Sequence, residues 1–156
     1  MSKKILINKN KGILFWVTGL SGSGKTAIAK KIKNRIAKLY GPTIEVSGDN
    51  FRKVFKLTKY DPKERIKNLW YYHHFSKLIT NLKINLIFNV IGMIDKARIW
   101  NKKNITNYVE IYVKADINKV IKKGRKSLYL KNKKNIVGLD IKAELPKQPH
   151  IILKNN

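Results

Sequence analysis

Eight consecutive residues near the amino terminus, Gly19 to Thr26, have the spacing of a phosphate-binding loop, G-x-x-x-x-G-K-S/T. The loop follows the apolar stretch 13–18, which predicts a buried strand, and precedes residues 25–39, whose apolar positions recur at helical spacing. Glycines let successive backbone N–H groups face one anion, and the following helix adds its positive end. The alternative is a glycine-rich turn that contains Lys-Thr by chance. The setting between strand and helix favours a nucleoside triphosphate site.

Two side chains at the end of this loop supply chemistry that a triphosphate requires. Lys25 can reach the β- and γ-phosphates, and the Thr26 hydroxyl can bind Mg²⁺. We therefore predict ATP and Mg²⁺ as cofactors, with Lys25 as a catalytic residue and Thr26 as a metal ligand. The predicted ATP-binding residues of the loop are Gly19, Leu20, Ser21, Gly22, Ser23, Gly24, Lys25 and Thr26.

The chain is strongly basic, with 35 lysine and arginine residues against 9 acids and a formal net charge of +26. Such a charge attracts any polyphosphate and would suit a nucleic-acid partner. The lysines are scattered rather than clustered, and asparagine and isoleucine are also abundant, so an A+T-rich genome explains the composition. We expect nucleic-acid binding that is only nonspecific. Because carboxylates are scarce, few residues can act as a general base or a metal ligand.

The composition also bounds the domain number and the compartment. A chain of 156 residues suits a single domain, 1–156. No apolar run is long enough to cross a membrane, and the amino terminus is too polar for a signal peptide. The sequence contains no cysteine, which excludes disulfides and thiolate metal sites. We expect a cytoplasmic protein with no membrane partner.

Strand-like and helical stretches alternate along the chain. The strand-like stretches are 13–18, 43–46, 85–91, 108–113 and 150–153, and the helical ones are 25–39, 62–82, 96–101 and 117–123. Alternation with near-continuous apolar strands predicts a parallel sheet covered on both faces. We therefore expect an α/β fold, specifically a three-layer α/β/α P-loop NTPase fold with a five-stranded, mainly parallel sheet. The basic stretch of about 122–137 is predicted to form a lid.

The segments that follow the first three predicted strands should meet in space. Ligands of parallel sheets bind beyond the carboxyl ends of the strands. The phosphate-binding loop follows the first strand, residues 47–50 follow the second, and Gly92 with Met93 follows the third. We expect all three segments to border one cleft.

Two adjacent histidines, His73 and His74, lie in an aromatic run on the predicted helix 62–82. Side chains of neighbouring helical residues point about 100° apart, so this pair cannot bind one metal ion from a single helix. We interpret the run as packing.

An ordered series of segments resembles the adenylylsulfate kinase family and covers nearly the whole chain. The matching segments are 18–26 (T-G-L-S-G-S-G-K-S/T), 47–52 (D-G-D-N-x-R), 60–68 (F-S-x-x-D-R-x-E-N), 127–129 (G-L-Y) and 137–140 (T-G-I-D), the last followed by Pro146 and Pro149. Most of these motifs are weak individually, but their order along the chain makes the resemblance specific.

The resemblance implies an activity and a role for Asp49. The family transfers the γ-phosphate of ATP to the 3′-hydroxyl of adenosine 5′-phosphosulfate. By this resemblance Asp49 is a catalytic, acceptor-binding and metal-binding residue that orients or deprotonates the acceptor hydroxyl, directly or through Mg²⁺. A carboxylate at a strand end near the γ-phosphate suits phosphoryl transfer. The alternative for Asp49 is an ordinary turn or helix-cap residue.

The resemblance also implies an acceptor site. Arg52 and Arg65 would hold the anionic 5′ end of the acceptor, since a guanidinium binds phosphate oxygens bidentately. In so basic a chain, each arginine could instead be a solvated surface charge. Asn68 lies three residues after Arg65, on the same helix face. Tyr60 takes the place of the phenylalanine that stacks on the acceptor base; its alternative is an ordinary core or rim aromatic.

Several positions depart from the family pattern. Ser47 replaces the first aspartate of D-G-D-N. The I-S-P-Y-R-x-x-R segment keeps only its first and last positions, Ile91 and Arg98, and has Gly92 in place of the serine. We expect both Ile91 and Gly92 to line the acceptor site. Ile136 stands where the family has a second aromatic residue against the acceptor base, and Lys123 replaces an arginine near the ATP base.

The departures bear on which nucleotide the chain phosphorylates. Stacking of a base on an aromatic ring contributes about 1–3 kcal/mol to binding, and the aliphatic Ile136 cannot provide one of the two stacking interactions. This loss favours a smaller pyrimidine. A relative within the family phosphorylates cytidine diphosphoramidate during capsule phosphoramidate synthesis, so the two candidate acceptors are that compound and adenosine 5′-phosphosulfate, with a slight preference for the cytidine compound.

Two other functions fit parts of the sequence. The net charge would suit an RNA-binding P-loop ATPase or a nucleic-acid end-kinase, provided that the basic residues form one continuous face. The changes around Gly92 would suit a nucleotide-binding regulator that has lost its acceptor site. We favour the kinase, with a small-molecule nucleotide acceptor as its partner; a homodimer is left open.

Overall fold

The structure, a computed structural model, describes residues 6–59, 61–122 and 134–155. Within these ranges there are five strands and five helices, and one or two helices separate each strand from the next. The strands are β1 (Ile13–Thr18), β2 (Thr43–Ser47), β3 (Asn85–Val90), β4 (Asn107–Lys114) and β5 (Ile151–Lys154). The helices are α1 (Lys25–Tyr40), α2 (Gly48–Val54), α3 (Pro62–Asn81), α4 (Asp95–Asn104) and α5 (Ile117–Lys122). This alternation confirms the predicted α/β class.

The sheet has the strand order β2-β3-β1-β4-β5, and each neighbouring pair in the described residues is parallel. β1 is central, between β3 and β4. The chain crosses from one side of β1 to the other after β3, so a crevice opens beyond the carboxyl ends of β1 and β3. The predicted five-stranded sheet is confirmed, and all five of its described strands run parallel.

Alternate residues of β1 pack on opposite faces of the sheet. Leu14 and Trp16 contribute to a cluster that includes residues of α3. Phe15 and Val17 contribute to a second cluster that includes residues of α1. Every residue of β1 is buried, which accounts for its continuous apolar sequence. The two clusters confirm the three-layer arrangement.

α2 is an element that hydrophobic periodicity does not predict. Ser47 caps it, with its Oγ accepting a hydrogen bond of 3.1 Å from the Asn50 N–H. Phe51, which is only 5% exposed, packs its ring against Tyr72 and Phe88. A helix of seven residues is too short to show a reliable apolar period, so its cap and its tertiary packing decide it.

The remaining predicted elements are present, with ends that move by at most three residues. Most of the predicted lid, including residues 127–129, lies outside the described ranges, so the lid stays a prediction. None of the helices in the described ranges is both long enough and apolar enough to cross a membrane.

His73 is a core residue. It is 1% exposed, and its imidazole lies between Trp16 and Trp100, with ring centroids 5.6 and 5.0 Å away. Its Nδ1 is 2.7 Å from Asn101 Oδ1, so the Nδ1–H donates to that oxygen. Burial lowers the pKa of His73 from 6.5 to about 4, against a smaller opposing effect of the Asn101 hydrogen bond. The aromatic run is therefore packing, and His73 stays neutral at physiological pH.

We predict a pH-dependent stability that His73 carries. Between pH 6.5 and 4 an unfolded chain takes up a proton at this residue while the folded chain does not, so folding stability falls as the pH drops through that window. The His73→Phe variant keeps an aromatic ring but cannot titrate. The stability advantage of the wild type over this variant should shrink by up to about 3 kcal/mol across the window.

Urea unfolding at pH 7.0, 5.5 and 4.5 measures this difference, with His74→Gln as the exposed-histidine control. A wild type and a His73→Phe variant that lose stability in parallel would contradict a low pKa for His73.

Candidate active site

The predicted phosphate-binding loop connects the carboxyl end of β1 to the first turn of α1. Gly22 and Gly24 both have left-handed backbone conformations, with φ of 76° and 94°, which glycine adopts without strain. Gly24 immediately precedes Lys25, the first helical residue, and has no side chain with which to cap the helix. The N–H groups of the first turn of α1 are therefore open to an anionic ligand.

The side chains of Lys25 and Thr26 are both anchored at this loop. The Lys25 ammonium donates a hydrogen bond of 2.7 Å to the Leu20 carbonyl oxygen. The Thr26 hydroxyl donates to Asn89 Oδ1 over 3.2 Å. A hydroxyl that gives its proton to a neighbour keeps its oxygen lone pairs for a metal ion, and Mg²⁺ prefers oxygen ligands. The Thr26 oxygen thus fits the predicted Mg²⁺.

A cavity of about 680 Å³ lies over the loop. Asp49, in the first turn of α2, lines this cavity together with Lys25 and Thr26. Its carboxylate forms an ion pair with Arg52; the Asp49 side chain is 72% exposed and that of Arg52 18%. The carboxylate therefore faces open space while the guanidinium is packed beside it. The structure brings the loop and Asp49 into one cavity.

A second cavity of about 250 Å³ adjoins the first. Arg52, Arg65 and Ile91 line both cavities. Asn68 and Gly92 line the second cavity but not the first. The two arginines therefore stand at the boundary, where they can hold a molecule whose ends occupy both spaces.

Asn68 carries an unusual acceptor. The residue is 4% exposed, and its Oδ1 has no hydrogen-bond partner among the described residues. Leaving a buried carbonyl oxygen unpaired costs about 1–3 kcal/mol. An N–H or O–H group of a ligand in the second cavity would relieve that cost.

The far wall of the first cavity comes from residues 134–136, after the undescribed stretch. The Arg65 Nη2 donates a 2.7 Å hydrogen bond to the Asn135 carbonyl oxygen, and the Ile136 N–H donates to Asp140 Oδ2 over 2.9 Å. Ile136 itself is buried and lines the cavity. Two further predicted site residues, Tyr60 and Lys123, lie outside the described residues, so their roles stay predictions.

The cleft also contains residues that the sequence patterns do not single out. Asn89 lies near the carboxyl end of β3, and its Nδ2 donates to Glu45 Oε1 on β2 over 2.5 Å. Asn155 follows β5, and its Nδ2 donates to the Ser23 carbonyl oxygen in the loop over 2.8 Å. The only signal for Asn89 is its position at a carboxyl-end edge of the sheet. Asn155 has none, because its contact spans 132 residues of sequence.

Residues 91–98, the altered segment that follows β3, are held in place by contacts at Ile91, Gly92 and Arg98. The Thr18 hydroxyl donates to the Ile91 carbonyl oxygen, and the Arg98 Nη1 donates to the Gly92 carbonyl oxygen over 3.1 Å. Arg98 also pairs with Glu110, at 3.3 Å. Burial raises the pKa of Glu110, and the Arg98 charge opposes that rise. The segment thus remains fixed at the cavity wall through Ile91 and Arg98, the two positions of the family pattern that it keeps.

Comparisons with known proteins agree with this geometry. The family model described as Adenylylsulphate kinase matches residues 11–154. A cytidine diphosphoramidate kinase of Campylobacter jejuni is 32% identical over 148 residues, covering 92% of this chain and 87% of that protein. A probable adenylyl-sulfate kinase of Aeropyrum pernix is 31% identical over 153 residues, covering 92% and 83%.

A solved structure shows the same fold. It is the adenylylsulfate kinase of Mycobacterium tuberculosis in complex with AMPPNP and APS, which superposes with a TM-score of 0.82 at 23% identity, covering 92% of this chain and 88% of that one. These relatives are kinases, so the comparisons do not favour the nucleic-acid-binding or regulatory alternatives. With a phosphate-binding loop that faces one cavity and an arginine-bounded second cavity beside it, the chain belongs to the adenylylsulfate kinase family of ATP-dependent phosphotransferases.

Proposed function

We propose that this protein uses MgATP to phosphorylate the 3′-hydroxyl of a nucleoside 5′-diphosphate-like acceptor, and that cytidine diphosphoramidate is preferred over adenosine 5′-phosphosulfate. The observation that carries the proposal is the pair of adjoining cavities with Arg52 and Arg65 at their boundary. One cavity contains the phosphate-binding loop and Asp49. The other, of about 250 Å³, is lined by Asn68, whose buried Oδ1 has no hydrogen-bond partner among the described residues.

On the ATP side, the chain supplies positive charge and oriented amides. The N–H groups of residues 21–26 hold the phosphates, and the Lys25 ammonium exchanges its Leu20 partner for phosphate oxygens. Thr26 and Asp49 are the residues that would hold Mg²⁺, which when bound offsets negative charge on the transferred group. The described residues contain no cluster of three His, Asp, Glu or Cys side chains. The nucleotide phosphates therefore complete the coordination in this proposal.

On the acceptor side, Asp49 orients the 3′-hydroxyl by a hydrogen bond or through Mg²⁺. The hydroxyl oxygen bonds to the γ-phosphorus as the bond from that phosphorus to the β–γ bridging oxygen breaks; ADP leaves, and the hydroxyl proton passes to Asp49 or to solvent. Arg52 and Arg65 bind the anionic 5′ end of the acceptor. The Arg52–Asp49 ion pair keeps the carboxylate beside the group that it orients.

Three observations support the cytidine acceptor. The second cavity, of about 250 Å³, is small for a ligand pocket. Ile136, which lines the first cavity, offers an aliphatic rather than an aromatic face there. The Campylobacter jejuni relative is a cytidine diphosphoramidate kinase. Phosphoramidate and sulfate are both tetrahedral end groups that the same two arginines can hold. A role in capsule phosphoramidate synthesis in the cytoplasm is part of this proposal.

We predict that Lys25→Ala lowers kcat by about 10³-fold, because the ammonium stabilises charge that develops in the transition state. We expect Asp49→Ala to lower kcat by about 10²–10⁴-fold. A coupled assay of ADP formation measures both. Lys30→Ala, an exposed lysine on α1, and Asp116→Asn, an exposed acid, serve as matched controls that keep wild-type rates. Full activity of Asp49→Ala would remove that residue from catalysis.

The acceptor is tested by measuring kcat/KM with cytidine diphosphoramidate and with adenosine 5′-phosphosulfate side by side, at a fixed MgATP concentration. We expect the cytidine compound to give the higher value, with phosphate found on its 3′-oxygen by ³¹P NMR. A higher kcat/KM for adenosine 5′-phosphosulfate would reverse the assignment of the acceptor and leave the kinase intact. Phosphorylation of neither compound would contradict the proposed reaction.

Asn68→Leu tests the acceptor cavity separately. The variant has a side chain of similar size without the carbonyl oxygen, so the KM for the acceptor should rise by about tenfold, the value of one hydrogen bond. The KM for ATP should stay unchanged, and the unfolding midpoint should not fall, since no protein hydrogen bond to Oδ1 is lost in the described residues. A KM for ATP that rises as much would place Asn68 outside the acceptor site.

A further inference from the structure

Three polar side chains form a chain that runs from the phosphate-binding loop into the sheet. The Thr26 hydroxyl donates to Asn89 Oδ1 over 3.2 Å, and the Asn89 Nδ2 donates to Glu45 Oε1 over 2.5 Å. Asn89 is 4% exposed, and Thr26 is exposed to the cleft. Glu45 is half-buried on β2. The Glu45 carboxylate is thus connected to the loop through one buried amide.

The carboxylate fixes the orientation of that amide. An ionised carboxylate only accepts hydrogen bonds, so it must face the NH₂ end of Asn89. The same NH₂ group also lies 3.5 Å from the Val46 carbonyl oxygen, a second acceptor. Asn89 therefore has to present its oxygen, and not its nitrogen, to Thr26.

That orientation in turn fixes the proton of Thr26. A hydroxyl has one proton and two lone pairs. When the proton points at Asn89 Oδ1, both lone pairs are directed elsewhere, and the cleft-facing one can bind a cation. If the amide were reversed, its NH₂ group would compete for those lone pairs and the hydroxyl would be a poorer metal ligand.

The charge of Glu45 matters as well as its geometry. Ser47 stands at the end of β2 where the family pattern has an aspartate, and its Oγ is used to cap α2. Only 9 of the 156 residues are acids, and the net charge is +26, so a carboxylate near the loop is scarce. Glu45 places one two residues earlier on the same strand and joins it to the loop by hydrogen bonds.

We propose that Glu45, acting through Asn89, is a positioning residue that orients the Thr26 hydroxyl for the metal of bound MgATP. The inference rests on the proposed function, because it requires a metal–nucleotide complex at Thr26. Partners one step removed from a metal ligand commonly change metal affinity by about 10–100-fold when they are mutated.

The competing role for this contact is to join β2 to β3. The chain offers a matched control for it, because Asn85 joins the same two strands at their other end. The Asn85 Nδ2 donates to Thr43 Oγ1 over 3.3 Å. Thr43→Val removes that contact far from the loop, so any effect of weaker strand pairing alone should appear in this variant too.

The experiment measures the dissociation constant of a fluorescent, non-hydrolysable ATP analogue with Mg²⁺ and again with EDTA. The ratio of the two constants reports the contribution of the metal, which a purely structural role does not change. We expect Glu45→Ala to reduce this ratio by about tenfold and Glu45→Gln, which can keep the hydrogen bond without the charge, by a smaller factor. Thr43→Val should keep the wild-type ratio. Thermal unfolding in EDTA establishes that each variant is folded.

A double variant makes the test reciprocal. Asn89→Asp alone puts two carboxylates in contact and should destabilise the cleft. Combining it with Glu45→Gln moves the negative charge from position 45 to position 89, and the amide at position 45 can donate a hydrogen bond to the new carboxylate. The ratio of the dissociation constants with and without Mg²⁺ should therefore return to within about threefold of the wild-type value.

Two outcomes overturn the inference. One is an unchanged ratio in folded Glu45→Ala or Glu45→Gln, and the other is an equal loss in Thr43→Val. A wild type that binds the analogue with no dependence on Mg²⁺ would instead contradict the proposed function itself, and the positioning role with it. The wild-type measurement therefore separates the two failures.

Discussion

The site depends on main-chain amides that are held open toward one cavity. Backbone N–H groups bind phosphate only when nothing in the protein uses them, and the first turn of α1 meets this condition because Gly24 offers no capping side chain. The turn itself needs left-handed backbone at Gly22 and Gly24. Its direction is set by β1, which is buried along its whole length between β3 and β4. A fully buried, central strand therefore carries the loop.

The strand order then brings the other functional groups to the same place. Because β1 and β3 are neighbours and parallel, the segments that follow them share an edge. β2 lies one strand further out, and the short helix α2 brings Asp49 back toward the loop. Arg65 reaches the cleft from α3 and is fixed there by the Asn135 carbonyl oxygen. A transferable phosphate and its acceptor can thus be held by separate elements of one sheet.

Two departures from the family pattern leave the local structure in place. Ser47 still caps α2 although it no longer provides a carboxylate. Gly92 is still held at the cavity wall by the buried Arg98, a residue of the family pattern that this chain keeps and that is paired with Glu110. The phosphate-binding loop keeps the family motif, whereas the proposed acceptor-binding positions Gly92 and Ile136 are altered. This uneven retention is what a kinase with the same donor and a different acceptor would show.

Sequence alone determined the strand–loop–helix unit, the parallel α/β class and the family, because these depend on local spacing and on an ordered set of motifs. It also predicted that Asp49, Arg52, Arg65 and Asn68 share a site, and the structure places all four around two adjoining cavities.

The tertiary structure decided what local patterns cannot encode. α2 is too short for a period and depends on its cap and on the packing of Phe51. In the Glu45–Asn89–Thr26 chain, Glu45 and Asn89 are separated by 44 sequence positions, and Asn89 and Thr26 by 63. The contact of Asn155 with Ser23 spans 132 positions. An asparagine or a glutamate acquires such a role only from the partner that folding puts beside it. Hydrogen bonds between distant segments have no periodicity or fixed spacing, so only the folded chain reveals them.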